Sequence, residues 1–381
     1  TFVRHLNSWM DQNPPGMGVN WVSSLEVSFR AISWIWAFHF FKDSLSFTPG
    51  VYRKALKYLF IHGKHLEHYL STYYSPNTHL TGEALGLYYL GTQLSFLECA
   101  SDWRAQGKEI LLEELERQIL PDGVYFEQTT WYQRYTTDFY LQFMLLARLS
   151  GEEMDSDTHS VLSDKTQSLL DFLTYVTRPN GTTPIIGDDD GGRNLPLTNE
   201  ASDDFTGTLA AGAVMFYRED FKFVASKPSQ EVLWLFGAEG LTIFDSLGEN
   251  EPEKTSNAFT DGGYFVMRDG WAKTDNYMIV DAGEVGSLNG GHGHADTLAF
   301  EVAAGGRPIL VDSGTYTYNE SKDLRDYFRA SEAHNSLTID GKSSSEPGGK
   351  FSWESKADGK RNSWLCEDRF EFCGGAHDGY Q

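Results

Sequence analysis

The sequence predicts two successive parts, a helical one arranged as a bundle or an (α/α) toroid and then an antiparallel β-sandwich. Three observations carry this reading. Up to about residue 250 apolar residues recur at spacings of three and four, across Gly248–Ser256 that period gives way to a polar, acidic stretch holding Pro252, and beyond it short segments alternate with a period of two. At 381 residues the chain also exceeds what one hydrophobic core usually supports. The expected domains are therefore 1–250 and 256–381.

In chain order, the first stripe runs over Leu25–Phe40, where Leu25, Phe29, Ile32, Ile35 and Trp36 fall on one helical face. Leu80–Phe96, Phe139–Leu149, Val161–Val176 and Gln230–Leu247 repeat the pattern, separated by turn formers such as Ser75-Pro76-Asn77 and Pro121-Asp122-Gly123. No exact internal repeat is visible, which argues against a helical-repeat solenoid. After the boundary, Tyr264–Met267, Tyr277–Val280 and Leu298–Val302 read as strands. The turn Ala304-Gly305-Gly306-Arg307-Pro308 separates the last of these from the apolar Ile309-Leu310-Val311.

Composition narrows the function. The formal charge of -23 argues against nucleic acid or an anionic membrane surface as partner. No apolar run is long enough to insert in a bilayer, and the mean hydropathy is -0.41. Aromatic residues make up 14% of the chain, which raises the prospect of a glycan ligand, since sugar rings stack their C–H faces on aromatic rings; filling core space is the plainer use of the same residues. Cys99, Cys366 and Cys373 have no zinc-ribbon spacing; Cys366 and Cys373 pair across a hairpin or stay free. No signal peptide opens the chain, and both ends read as cut.

Four clusters hold chemistry-bearing residues. Asn289-Gly290-Gly291-His292-Gly293-His294-Ala295-Asp296 leads into a strand, and residues two apart in extended chain share a face, so His292, His294 and Asp296 project together. Asp312 ends the next strand and His334 begins another, so that His294, Asp312 and His334 offer a nitrogen–oxygen–nitrogen set for zinc or a similar ion; a buried polar network without metal is the alternative. In the helical half, Asn77 and His79 sit in a loop with Glu83 four residues on, and helix capping would also explain Asn77. The fourth cluster, Asp122-Gly123-Val124-Tyr125-Phe126-Glu127-Gln128-Thr129-Thr130-Trp131-Tyr132, runs into a helix carrying Arg134 and Tyr135.

Taken together and in this order, Asn-x-His-Leu-x-Gly-Glu, Asp-Gly-x-x-x-Glu-Gln-Thr-x-x-Tyr, His-x-His-x-Asp, Val-Asp-x-Gly-x-Tyr and Ala-His-Asn resemble the heparinase II/III-like polysaccharide lyases over roughly residues 18 to 345. The resemblance implies a multidomain α+β chain, an incomplete (α/α) toroid followed by an antiparallel β-sandwich whose C-terminal part is missing. It also implies β-elimination on uronic-acid-containing glycans and a periplasmic or extracellular bacterial setting. Asn77, His79, Tyr132 and His292 match catalytic positions. Glu83, Arg134 and Tyr135 are expected to bind substrate, and His294, Asp312 and His334 match a structural, zinc-type site with no organic cofactor. Two departures stand out: Gln133 follows the tyrosine where His is frequent, and Thr78 replaces the second Asn of an Asn-Asn-His version.

The implied partner is an anionic uronate polysaccharide, with heparan sulfate, hyaluronan or chondroitin, alginate and bacterial exopolysaccharide all compatible. The first alternative is a glycoside hydrolase of the α/α toroid type using Asp122 and Glu127, or Asp188-Asp189-Asp190. The second is a non-catalytic glycan-binding or assembly protein.

Overall fold

A computed structural model of the chain describes residues 1–367 and 370–381. The helices come first: α1 (Phe2–Gln12), α2 (Ser24–Phe41), α3 (Pro49–His68), α4 (Thr78–Gln93), α5 (Ala100–Gln118), α6 (Thr130–Leu149), α7 (Ser156–Val176), α8 (Thr206–Phe216), α9 (Glu219–Ala225) and α10 (Gln230–Ser246). Strands follow as β1 (Asn257–Phe259), β2 (Tyr264–Arg268), β3 (Tyr277–Asp281), β4 (Phe300–Ala304) and β5 (Arg307–Leu310). After α11 (Lys322–Arg329) come β6 (Glu346–Gly349), β7 (Ser352–Ser355), β8 (Gly359–Glu367) and β9 (Phe370–His377). The helical N-terminal part and antiparallel C-terminal sheets agree with the coarse class read from sequence.

Contacts group the residues into two compact units. The first holds Thr1–Glu116, Gln142–Glu153 and Arg193–Pro196, and the second Arg117–Leu141, Met154–Gly192 and Leu197–Gln381.

In the first unit the helix starts follow local chemistry. Ser23 caps α2 by accepting from the Glu26 amide, and Thr48 caps α3 directly before Pro49. Helix α4 sits against α2 and α5 because glycines leave room: a Cβ on Gly86 would lie 2.2 Å from Ser28 Oγ, and one on Gly91 would lie 2.4 Å from the Arg104 nitrogen. Leu25, Val27, Ala31, Ile32, Trp34, Ile35 and Phe38 of α2 are all buried, a wider set than one stripe.

In the second unit β1 to β5 form one antiparallel meander, with β6–β7 and β8–β9 as separate pairs. The β4–β5 turn places Gly305 and Gly306 at φ of 57° and 74°, the left-handed backbone that a tight two-residue hairpin needs. The end of α7 packs on this sheet: Phe172 stacks edge-on against Phe259 at 4.9 Å, Tyr277 Oη donates to the Val176 carbonyl at 2.9 Å, and Arg268 donates to the carbonyls of Tyr175 and Thr177.

Several details differ from the sequence reading. Helix α10 is interrupted at Gly237, which takes φ 68° and ψ -162°. Leu298 precedes its strand at φ 67°, and β4 begins only at Phe300. His334 follows a single 3-10 turn, Ser331–Ala333, on extended backbone outside any strand. None of the three cysteines forms a disulfide; in the β8–β9 register Cys366 faces Glu371 and Cys373 faces Trp364, so the two thiols are not opposite each other.

Candidate functional site

The second unit builds a site at the start of α6. Pro121-Asp122-Gly123 makes a turn with Gly123 at φ 87°, and the Asp122 carboxylate accepts from the amides of Asp261 at 2.6 Å and Gly262 at 2.9 Å. Thr129 Oγ1 then accepts from the Tyr132 amide at 3.0 Å, which caps α6 and places Tyr132 in its first turn. Gln133 is buried and holds the preceding loop, accepting from the Tyr125 amide at 2.6 Å and donating to the carbonyls of Gly123 and Leu169 at 2.8 and 3.1 Å. The departure at this position has a structural use: the side chain's hydrogen bonds go to the preceding loop and to the Leu169 carbonyl.

Tyr132 is 4% exposed, and its hydroxyl donates to Asp190 Oδ2 at 3.2 Å and meets Tyr318 Oη at 3.4 Å. Its ring lies 4.4 Å from that of His292. Burial, followed by the nearness of Tyr318 and Asp190, pushes the Tyr132 phenol well above its ordinary range, so the resting side chain is a neutral proton donor. Tyr318 is raised in the same way, by burial first and then by Asp188.

His292 and His294 converge on one carboxylate. Asp188 Oδ2 pairs with His292 Nδ1 at 3.1 Å and Oδ1 with His294 Nε2 at 2.9 Å, while Arg325 clamps both oxygens at 2.5 and 2.7 Å. The Asp188 amide also donates to the His292 carbonyl at 2.9 Å. Burial alone would raise Asp188, but the hydrogen bonds from His292, His294 and Arg325 outweigh it and hold the carboxyl far below the usual range. For His292 burial lowers the pKa, while Asp188 and Glu127 raise it more, and Glu127 Oε1 lies 3.9 Å from His292 Nε2. Glycine is required between the two histidines, since a Cβ on Gly293 would lie 1.7 Å from the Val285 carbonyl oxygen.

One ligand atom from each of His294, Asp312 and His334 lies within 4.8 Å of the others. His334 Nδ1 bonds Asp312 Oδ2 at 2.6 Å, and the Gly314 amide donates to Oδ1 at 2.8 Å. The opposite ring nitrogens, His294 Nδ1 and His334 Nε2, are buried and make no hydrogen bond among the described residues. One nitrogen from each of the two buried imidazoles and a carboxylate oxygen of Asp312 form a donor set that fits a divalent cation, and Asp188 holds the His294 ring from its other nitrogen. Asp281 and Asp296 are also buried, and burial, then Asp296, pushes Asp281 well up; a cation would relieve this excess of acid.

In the first unit Asn77 caps α4, its Oδ1 accepting from the His79 amide at 3.1 Å, so the plain capping role is real and His79 stands in the first helical turn, outside the expected loop. Glu83 is fully buried and accepts from the Ser71 amide and hydroxyl, both at 2.7 Å. Burial, only partly offset by these bonds, pushes its carboxyl up to about 7.

The remaining expected binders belong to the second unit and are buried. Arg134 is 3.6 Å from both Asp138 and Glu231, with its guanidinium over the rings of Trp131 and Phe205. Tyr135 Oη lies against Gly192, where a Cβ would come within 1.9 Å.

Asp188, Asp190, Tyr318 and Arg325 are the parts the lyase reading of the sequence did not place. The run Asp188-Asp189-Asp190 was visible as acid, but its pairing with two histidines more than a hundred residues later was not. Arg325 belongs to α11, whose inward side carries Arg325 and Arg329 while Leu324 and Tyr327 are exposed, a reversal that hydrophobic periodicity cannot detect.

Comparison with known proteins gives consistent results. Family models described as Heparinase II/III N-terminus and Heparinase II/III-like, C-terminal match residues 1–203 and 251–381. A heparin-sulfate lyase of Bacteroides thetaiotaomicron is 27% identical over 363 residues, 92% of this chain and 49% of that protein. One of Pedobacter heparinus is 24% identical over 350 residues, 89% of this chain and 48% of the relative. The chain therefore spans about half the length of these relatives. A crystal structure of Heparinase III covers all of the chain and 55% of its own with a TM-score of 0.74 at 24% identity. That of a heparan sulfate lyase from Pedobacter heparinus covers all of the chain and 54% of its own, with a TM-score of 0.66 at 22% identity.

Proposed function

The chain belongs to the heparinase II/III family, and from that premise we propose that it is a polysaccharide lyase that cleaves uronic-acid-containing glycans by β-elimination, with heparan sulfate the leading substrate. The observation that carries this reading is the buried, proton-holding phenol of Tyr132 in ring contact with His292, whose Nδ1 is committed to Asp188.

In the elimination the C5–H bond breaks, its electron pair forms the C4–C5 double bond, and the C4–O4 bond opens as O4 takes a proton. Tyr132 is suited to give that proton, because its surroundings keep the hydroxyl neutral until a leaving oxygen arrives. His292 Nε2 is the nitrogen left to exchange a proton, and His79 is the alternative base. Asn77 supplies a side-chain amide to the uronate carboxylate as charge builds there. Glu83, Arg134 and Tyr135 would support binding through the segments they hold, the Ser71 loop, the start of α6 and Gly192.

His294, Asp312 and His334 would hold one divalent cation, zinc being the expected ion, and its chemistry would be structural: it fixes the loop that presents His292. Asp188 joins that loop to the metal ligand His294 through a single carboxylate.

The finer fold assignment belongs to the same proposal: an incomplete (α/α) toroid over 1–250 and a β-sandwich over 256–381. Phe265 of the main sheet against Trp364 of the β8–β9 hairpin, at 5.5 Å, supports a second β layer. Among the described residues no helix is long and apolar enough to cross a membrane, and a periplasmic or extracellular setting is proposed from the family.

The test is product optics on a panel of heparan sulfate, hyaluronan, chondroitin, alginate and a bacterial uronate exopolysaccharide. A new near-ultraviolet absorbance, from the unsaturated uronate, is expected with at least one. Release of reducing ends without that absorbance would instead indicate hydrolysis, a reading that the use of Asp122 in holding backbone amides already disfavours.

A further inference from the structure

Tyr69, Tyr73 and Tyr74 fall within six residues of the α3–α4 connection, and they are 65%, 99% and 94% exposed. A single exposed aromatic needs no explanation, but three on one short loop concentrate apolar area that water does not favour. Among the described residues Tyr73 and Tyr74 make no side-chain hydrogen bond and no ring contact, while the Tyr69 ring lies tilted against that of His65 at 4.8 Å.

The loop is anchored on either side of these rings, at Tyr69 and Ser71 and at Ser75 and Asn77. Ser24 Oγ donates to the Tyr69 carbonyl at 2.6 Å, the Thr72 amide to Leu70 at 2.8 Å and the Asn77 amide to Ser75 at 2.8 Å. The Ser71 amide and hydroxyl both bind the fully buried Glu83 carboxylate. Among the described residues no Lys or Arg pairs with Glu83, and burying an unpaired acid destabilises the fold, so the bonds it makes serve the position of this loop. Six residues from Ser71, the same connection ends in Asn77, the cap of α4.

We propose that Tyr73 and Tyr74, on the loop fixed by Glu83 and Ser71, form a sugar-stacking platform that binds pyranose rings of an acidic glycan next to the one addressed by Asn77. Tyrosine suits the task, since its ring presents a flat apolar face with few rotatable bonds and its hydroxyl stays wet. Uncharged contact area also answers a difficulty of the whole chain, whose charge of -23 repels a polyanion. The proposal rests on the glycan-lyase reading, so its test separates binding from turnover.

In the full chain carrying Tyr132→Phe, affinity for heparan sulfate is measured with Tyr73 and Tyr74 intact, each replaced by Ala, both replaced by Ala, and both replaced by Phe. Each Ala is expected to weaken binding by about tenfold, the order of one aromatic stack, whereas the Phe pair keeps affinity within about twofold. The loss should be equal at low and at high salt, because stacking is not screened as a charge contact is. Melting temperatures should stay level, since neither ring packs on the protein. In the chain with Tyr132 intact, the double Ala variant should show the same loss in KM. Unchanged affinity and KM in the double Ala variant overturn the platform and leave the lyase reading standing. Tyrosine-dependent binding by a protein that yields no unsaturated product from the panel does the reverse. No measurable binding of heparan sulfate with both tyrosines intact also overturns the platform.

Discussion

Tyr132 keeps its proton because it is shut away from water between Tyr318, Asp190 and His292, and this makes it a donor to an oxygen that gains charge. Tyr132→Phe removes the oxygen and spares the ring, so a tyrosine that only packs would tolerate it. The expected result is a kcat lower by roughly 10²–10⁴-fold with little change in binding, measured as unsaturated product on the best panel substrate. Tyr135→Phe, one turn on and against Gly192, should cost far less. Near-normal turnover by Tyr132→Phe would move the acid to His292 or His79. His334 carries a separate expectation, because its buried ring lies with His294 and Asp312 in one candidate ligand set. His334→Ala should lose the roughly one divalent ion per chain that metal analysis of the parent would find, and should melt at lower temperature, since an ion bound only by the folded state stabilises it. Full metal retention would rule out this ligand set.

At the scale of elements, what could be read in advance depended on period and caps. Helices α2, α4, α6 and α7 were legible because apolar spacing marks them, and β2 and β3 because short strand-like segments between turn residues do, whereas β5 takes in Arg307 and Pro308, which read as turn. Helix α11 was not, since its buried face is arginine, and neither was the His334 segment, whose extended backbone lies outside any ladder. The metal triad was legible as residue types, whereas the Asp188 clamp required three distant segments to be brought together. Helix α4 carries a consequence of its own. Its Glu83 is pushed up to about 7 by burial, so the folded state holds a proton that the unfolded chain releases near 4.5. Its contribution to stability is therefore complete below the unfolded value and declines as pH rises through about 7. Glu83→Gln has no such proton to lose. Relative to that variant, the parent should become less stable between pH 4.5 and 8 by an amount on the order of 3 kcal/mol, read from denaturant unfolding at several pH values. A pH-independent difference would show that Glu83 ionises normally.

For the whole molecule, chain order and packing divide the residues differently. Secondary structure changes from helix to strand across Gly248–Ser256, but α7 to α10 share a compact unit with the strands that follow. The attachment is substantial: Phe172 lies against Phe259 and Tyr264, the Arg268 guanidinium is spent on the carbonyls that end α7, and Arg178 pairs with Glu301 of β4. Arg268, Arg178 and Glu301 are all buried at this contact, and separating helix from sheet would break their bonds and uncover the apolar area of Phe172, Phe259 and Tyr264. Cleavage confined to the polar 248–256 stretch should therefore leave the two pieces associated under native conditions. Gel filtration after limited proteolysis should return one species of the parent's size, with both fragments appearing only in denaturant. If the pieces part at once on cleavage, the contacts between α7 and the sheet are too weak to define a common unit, and the division at residues 250 and 256 would describe the stable bodies as well as the order of elements.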